Sequence, residues 1–129
     1  MTGTTIDAVL IEADRAPRWV QVPVDEQGSA LEGLQGLVGG LIEPVDLGEG
    51  VVLWANEEGL YKAEAGEPGF GPNVLATRLA VGVYGSWSVI AGPCVVTGDL
   101  EGATVSLPGP WGDWIIDCPV AGLVVGVRA

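Results

Sequence analysis

Histidine is absent from the 129 residues of the chain. Its absence removes the commonest general base, the commonest neutral metal ligand and the usual sensor of pH between about 5 and 8. Ser-His-Asp and Cys-His catalysis are therefore excluded within one chain. Cations are scarce: Lys+Arg 5 against Asp+Glu 17 leaves a formal net charge of -12 and a pI near 4.1. Such a chain repels polyanions and has few groups with which to displace their counterions, so no direct binding of nucleic acid is expected. An acidic surface suits solubility or attraction to a basic partner. The carboxylates stand singly or in pairs and form no acidic tail, so the plainest reading is a solvated surface. Only two cysteines occur, Cys94 and Cys118, each beside a proline in an apolar, strand-like run. With no signal-peptide pattern at the start, they read as two buried reduced thiols of a cytoplasmic protein, one disulfide being the alternative. No apolar run approaches the roughly 20 residues of a spanning helix. The longest, over 120–127, is broken by Gly122 and Gly126, and no membrane insertion is expected.

What the chain does have is apolar material and turns. Hydrophobic residues make up 48% of it and mean hydropathy is +0.41, enough to offset the entropy of ordering one domain despite the net charge. Gly 21 and Pro 9 fall between short apolar runs, which predicts short strands joined by tight turns. Strands are expected over 6–12 and over 18–24, the second with its valines inward and with Pro23 marking either an edge position or the strand's end. Residues 29–38 switch to helical period: Ala30, Leu31, Leu34, Leu37 and Val38 share a stripe, Ser29 and Glu32 can form a capping box, and Gly39-Gly40 supplies the stop. Gly33 and Gly36 weaken this helix but would let it lie close to a sheet. Residues 41–46 and 51–56 read as a hairpin, 60–63 as a short strand, 64–73 as a mobile loop, and 74–80 as a second short helix capped by Asn73. Strands then follow over 87–91, 94–97, 114–117 and 122–128, with a turn at Gly98-Asp99. The fold class expected is α+β, a mainly antiparallel sheet covered on one face by the 29–38 helix, with a β-rich C-terminal extension over 99–129.

Few constellations carry chemistry. Glu57-Glu58 is an adjacent acidic pair in a turn; such a pair can divide acid and base roles or bind a hard cation, though two solvated charges is the simpler account. The spacing of Asp46, Glu49 and Asn56 does not match a calcium loop, and the glycine-rich stretches lack the partners of a phosphate loop. Nothing calls for a metal or a cofactor. Of the five tryptophans, Trp54 and Trp87 sit in apolar strands and read as core, whereas Trp111 and Trp114 flank Gly112-Asp113 in a Pro-rich connection, where an exposed aromatic would serve a binding surface or an oligomer contact. The cations Arg15, Arg18, Lys62, Arg78 and Arg128 are so few that any two converging on one pocket would be notable, five separate surface charges being the simpler reading.

The run Leu34-Gln35-Gly36-Leu37-Val38-Gly39-Gly40-Leu41-Ile42-Glu43, then Trp54-Ala55-Asn56-Glu57-Glu58-Gly59-Leu60, Pro72-Asn73 with Ala76-Thr77, and Ile90-Ala91-Gly92-Pro93 resembles the domain-of-unknown-function 3846 family of phages, conjugative elements and bacteria. The likeness spans about residues 6–98 and leaves the 111–129 tail outside. It implies context rather than chemistry: an accessory protein of a mobile element, in the host cytoplasm, acting on host processes or defence. The leading expectation is accordingly a non-catalytic protein that occupies a host factor, its acidic surface complementing a basic site. A second is sequestration of a small nucleotide signal, with Lys62 or Arg78 as charge partner and the 64–73 loop closing over it. A third is an enzyme with Glu57 or Glu58 as base. Asn56, Glu57, Glu58, Lys62, Asn73, Arg78, Trp111 and Trp114 are the candidate binding residues. A homodimer is also expected, because short strands in a small apolar chain leave edges to protect, and the tail is the contact favoured.

Overall fold

The structure, a computed structural model, describes residues 4–84 and 89–117. Two strands open the chain, β1 (Thr4–Ile11) and β2 (Arg18–Val24), followed by helix α1 (Leu31–Val38) and the hairpin β3 (Ile42–Gly48) and β4 (Val51–Asn56). Helices α2 (Gly59–Glu64) and α3 (Val74–Tyr84), strands β5 (Cys94–Leu100) and β6 (Ala103–Val105), and helix α4 (Gly109–Ile116) complete it. The sheet runs β2-β1-β5-β4-β3 with every neighbouring pair antiparallel, and β6 pairs with the far end of β5. The α+β class holds.

Both faces of the sheet are covered, not one. Side chains alternate across a strand, so a run buried on both sides reads as continuously apolar, and Ala8-Val9-Leu10-Ile11 and Cys94-Val95-Val96-Thr97 are buried throughout. Ala8, Leu10, Val22 and Val95 meet Leu34 and Val38 of α1 on one face. Val9, Ile11, Leu53, Ala55, Cys94 and Val96 meet Leu75, Ala76 and Ala80 of α3 and Ile115 of α4 on the other. The helix over 74–80 was expected but not placed on the sheet, and α4, the other member of this second layer, occupies residues read as strand 114–117. Trp and Ile favour strands, yet Pro110 in the first turn presets the helical backbone, and Trp111 and Ile115, four apart, pack the same core.

Other boundaries were displaced for local reasons. Helix α1 begins at Leu31 with Ala30 at its N-cap position; the Ser29 hydroxyl accepts the Leu31 N–H at 3.2 Å, but no capping box forms, because the Asp25 carboxylate accepts the Gln27 and Ser29 N–H groups at 2.9 Å each and holds Ser29 in the preceding turn. Its end is as expected, Gly39 being left-handed at φ 83°. Gly33 does permit close approach, since a Cβ there would stand 2.8 Å from Val22 Cγ1, whereas Gly36 faces open space. Residues 60–63 belong to α2, because the Asn56 side chain accepts the Glu58 N–H at 2.8 Å and turns the chain before a strand can form. Strand β5 passes straight through Gly98-Asp99; the turn lies at Glu101-Gly102, both at positive φ, as a tight hairpin into β6 requires. Val89 and Ile90 form no strand, Ala91 making a single bridge to Pro72. The 65–73 stretch is anchored by that bridge and by buried Phe70. Trp87, Cys118 and the strand expected over 122–128 lie outside the described residues. Strand β2 is an edge strand, in keeping with Pro23, and Cys94 is a buried free thiol.

Candidate functional site

The segments singled out in the sequence converge in space. Asn56, 4% exposed at the end of β4, donates to the Val38 carbonyl at 3.0 Å and so ties the end of α1 to the start of α2. Gly59 lies directly against the Ala91 carbonyl, where a Cβ would collide. Asn73, 1% exposed, donates to the carbonyls of Ile11 at 2.9 Å and Gly92 at 2.8 Å, while its oxygen accepts the Ala76 N–H at 3.2 Å. Thr77 Oγ1 donates to the Asn73 carbonyl at 2.8 Å and accepts the Ile90 N–H at 2.9 Å. The irregular stretch 90–92 is thereby buried, with the Ile90 N–H held by Thr77 and the Gly92 carbonyl by Asn73. Both N–H donors of Asn73 are spent on backbone, so this candidate serves the framework, as does Asn56.

Outside this junction lies an open cleft of about 770 Å³. Its charged lining residues are the three carboxylates of Glu43, Glu57 and Glu58, with Leu60 and Tyr61 of α2 and Val89 on its walls, and among the described residues no cation lines it. Tyr61 is 74% exposed. Glu43 reaches the cleft because β3 pairs it with Ala55 of β4, adjacent to Asn56. Of the sequence candidates, the cleft gathers Asn56, Glu57 and Glu58 alone. Sequence reasoning missed Glu43, Tyr61 and Val89. Hairpin register could have found Glu43, but Tyr61 required α2 to be recognised as a helix.

Lys62 and Arg78 do not converge on the cleft. The Lys62 ammonium sits 3.8 Å from a Glu67 carboxylate oxygen and 5.4 Å from the centre of the Phe70 ring, and Arg78 is exposed on α3. Trp111 and Trp114 form a separate feature on α4, with ring centres 5.9 Å apart and planes at 81°. Among the described residues no three His, Cys, Asp or Glu side chains are placed to hold a metal ion, and no helix is long and apolar enough to cross a membrane. Trp54 is half-buried, its indole donating to the buried Thr97 hydroxyl at 2.9 Å.

These features define a three-layered α+β domain whose buried amides fix an irregular segment beneath an acidic cleft. A family model described as "Domain of unknown function (DUF3846)" matches residues 6–113, and the chain belongs to that family. The match runs past residue 98 into α4. No curated protein matches the chain. Among solved structures, the small RNA methyltransferase HEN1 is similar in fold, with a TM-score of 0.59 at 12% identity over 92% of this chain. The chain spans 16% of that protein's length.

Proposed function

We propose that this protein is a non-catalytic binding module, an accessory protein of a mobile element that works in the host cytoplasm by occupying a host protein and so counteracts host defence. The observation that carries the reading is the cleft: Glu43, Glu57 and Glu58 beside exposed Tyr61 and Leu60, with no cation among the lining residues. Three like charges along a partly apolar wall are relieved by a cationic segment, and the net charge of -12 steers such a partner from a distance. Tyrosine gives the contact a large, stiff surface at low entropic cost. The nucleotide reading is disfavoured, because the cleft presents carboxylates where a phosphate needs cations and Lys62 is engaged by Glu67 and Phe70.

Pulldown from host lysate tests the reading, using the wild type and a Glu43→Gln/Glu57→Gln/Glu58→Gln variant at low and moderate salt. The expected result is a basic protein retained by the wild type, weakened by salt and lost from the variant. Equal capture by both, or nothing above background, overturns the proposal.

A further inference from the structure

We propose that the corner formed by Trp111 and Trp114 on α4 is a second contact point, which receives the guanidinium of an arginine side chain from the partner. The inference rests on the reading above that the partner is a basic protein, but its site is separate from the cleft. Residues three apart share a helix face, which brings the two indoles together. They meet edge to face, 5.9 Å between centres and 81° between planes. Trp111 is half-buried against the main core and the Trp19 ring lies on Gly112, so α4 is held to the sheet at two consecutive residues. Trp114 is 53% exposed, yet it stands against a fixed neighbour. With Pro110 the two rings line a hollow of about 300 Å³.

Its shape and charge choose the occupant. The lining offers ring faces and a proline, with no carboxylate or carboxamide to bind a polar head directly. An indole face attracts cations, and a guanidinium, flat and weakly hydrated, stacks on it with less desolvation than an ammonium. Asp113 and Asp117 stand exposed on and just beyond the same helix, with no ion pair to any described residue. Arg18, beside Trp19 in β2, is held by Glu12 at 2.6 Å and does not fill the hollow from within the chain. Asp117 stands three residues from Trp114 and Asp113 three from Pro110, neighbouring positions on a helix surface, so a cationic occupant would have a counter-charge beside the hollow and a neutral one would not use it.

Indole N–H resonances of the ¹⁵N-labelled protein, titrated with N-acetyl-arginine amide and with its citrulline and lysine counterparts, test the assignment. Arginine amide should shift the Trp111 and Trp114 signals saturably and bind about fivefold more tightly than the neutral citrulline compound. Trp114→Ala, at an exposed position, should abolish the response, and Asp113→Asn should weaken it with both rings in place. Glu57→Gln/Glu58→Gln should leave it intact, so failure of this site and failure of the cleft reading are separable. Equal binding of citrulline or lysine amide, shifts spread over every indole, or an unchanged response in Trp114→Ala would overturn it.

Discussion

Replacing Asn73 by alanine removes a single amide from the junction of β1, α3 and the 89–93 segment. Three backbone groups lose the amide at once, the Ile11 and Gly92 carbonyls and the Ala76 N–H, the Gly92 carbonyl keeping only the weak Cys94 thiol donor at 3.7 Å. The site is 1% exposed, so water does not replace them without a rearrangement. A buried unsatisfied group costs about 1–3 kcal/mol and a lost helix cap about 1 kcal/mol. Since the three share one side chain and relax together, a total loss of about 3–5 kcal/mol is expected. That is a large part of the roughly 5–15 kcal/mol that holds a domain folded. Asn73→Ser separates the contributions, because serine can cap α3 but is too short to bridge both carbonyls; it should recover about 1 kcal/mol. Urea unfolding followed by tryptophan fluorescence measures both variants. A loss below about 1 kcal/mol for Asn73→Ala would refute the argument that this amide closes the junction.

Further outcomes follow from the same geometry. Gly59→Ala drives a methyl into the Ala91 carbonyl and should destabilise by about 2 kcal/mol or more in the same assay, whereas Gly36→Ala, facing open space on α1, should be neutral or stabilising by up to about 1 kcal/mol. Burial pushes the Cys94 thiol up to about 12. The folded state therefore keeps its proton where the unfolded thiol loses it: the thiol's contribution to stability is whole below about pH 9 and falls by at most about 1.4 kcal/mol per pH unit as pH rises towards 12. Denaturation midpoints from pH 8 to 11, with and without Cys94→Ala, check that slope. In a Cys118→Ser background Cys94 should resist a thiol reagent at pH 8 until the protein unfolds. Trp54→Phe leaves the buried Thr97 hydroxyl without its indole partner and should cost about 1–2 kcal/mol by urea titration.

Much of the fold was legible because its signals are local. The 18–24 strand with its inward valines, the 51–56 strand, the Gly39 stop of α1 and the Asn73 cap of α3 each depend on a few neighbouring residues. Helices α2 and α4 were not legible as helices. Helix α1 is as short as α4 but carries a helical stripe and a Gly-Gly stop, whereas α2 and α4 start from devices outside their apolar pattern: the Asn56 side chain for α2 and Pro110 in the first turn for α4. The second covered face was missed because α4 was read as strand and the expected 74–80 helix carried no local sign of which face it covers. The site divided in the same way. Glu57 and Glu58 were visible as a pair in a turn, but the third carboxylate, Glu43, comes from the neighbouring strand through register. Asn56 and Asn73 were marked as binding residues because polar side chains among apolar ones invite that reading; their partners are backbone groups as far as 62 residues away in the chain, which no local pattern displays.

The oligomeric state enters the same experiment that decides the central claim. Native mass spectrometry of the purified chain, alone and after incubation with a fractionated host lysate and with a small-molecule extract of infected cells, reads copy number and bound mass together. The account predicts a protein-sized addition from the lysate, absent with Glu43→Gln/Glu57→Gln/Glu58→Gln, and no change from the extract. A nucleotide-sized addition from the extract, or a protein complex indifferent to those three substitutions, would contradict it.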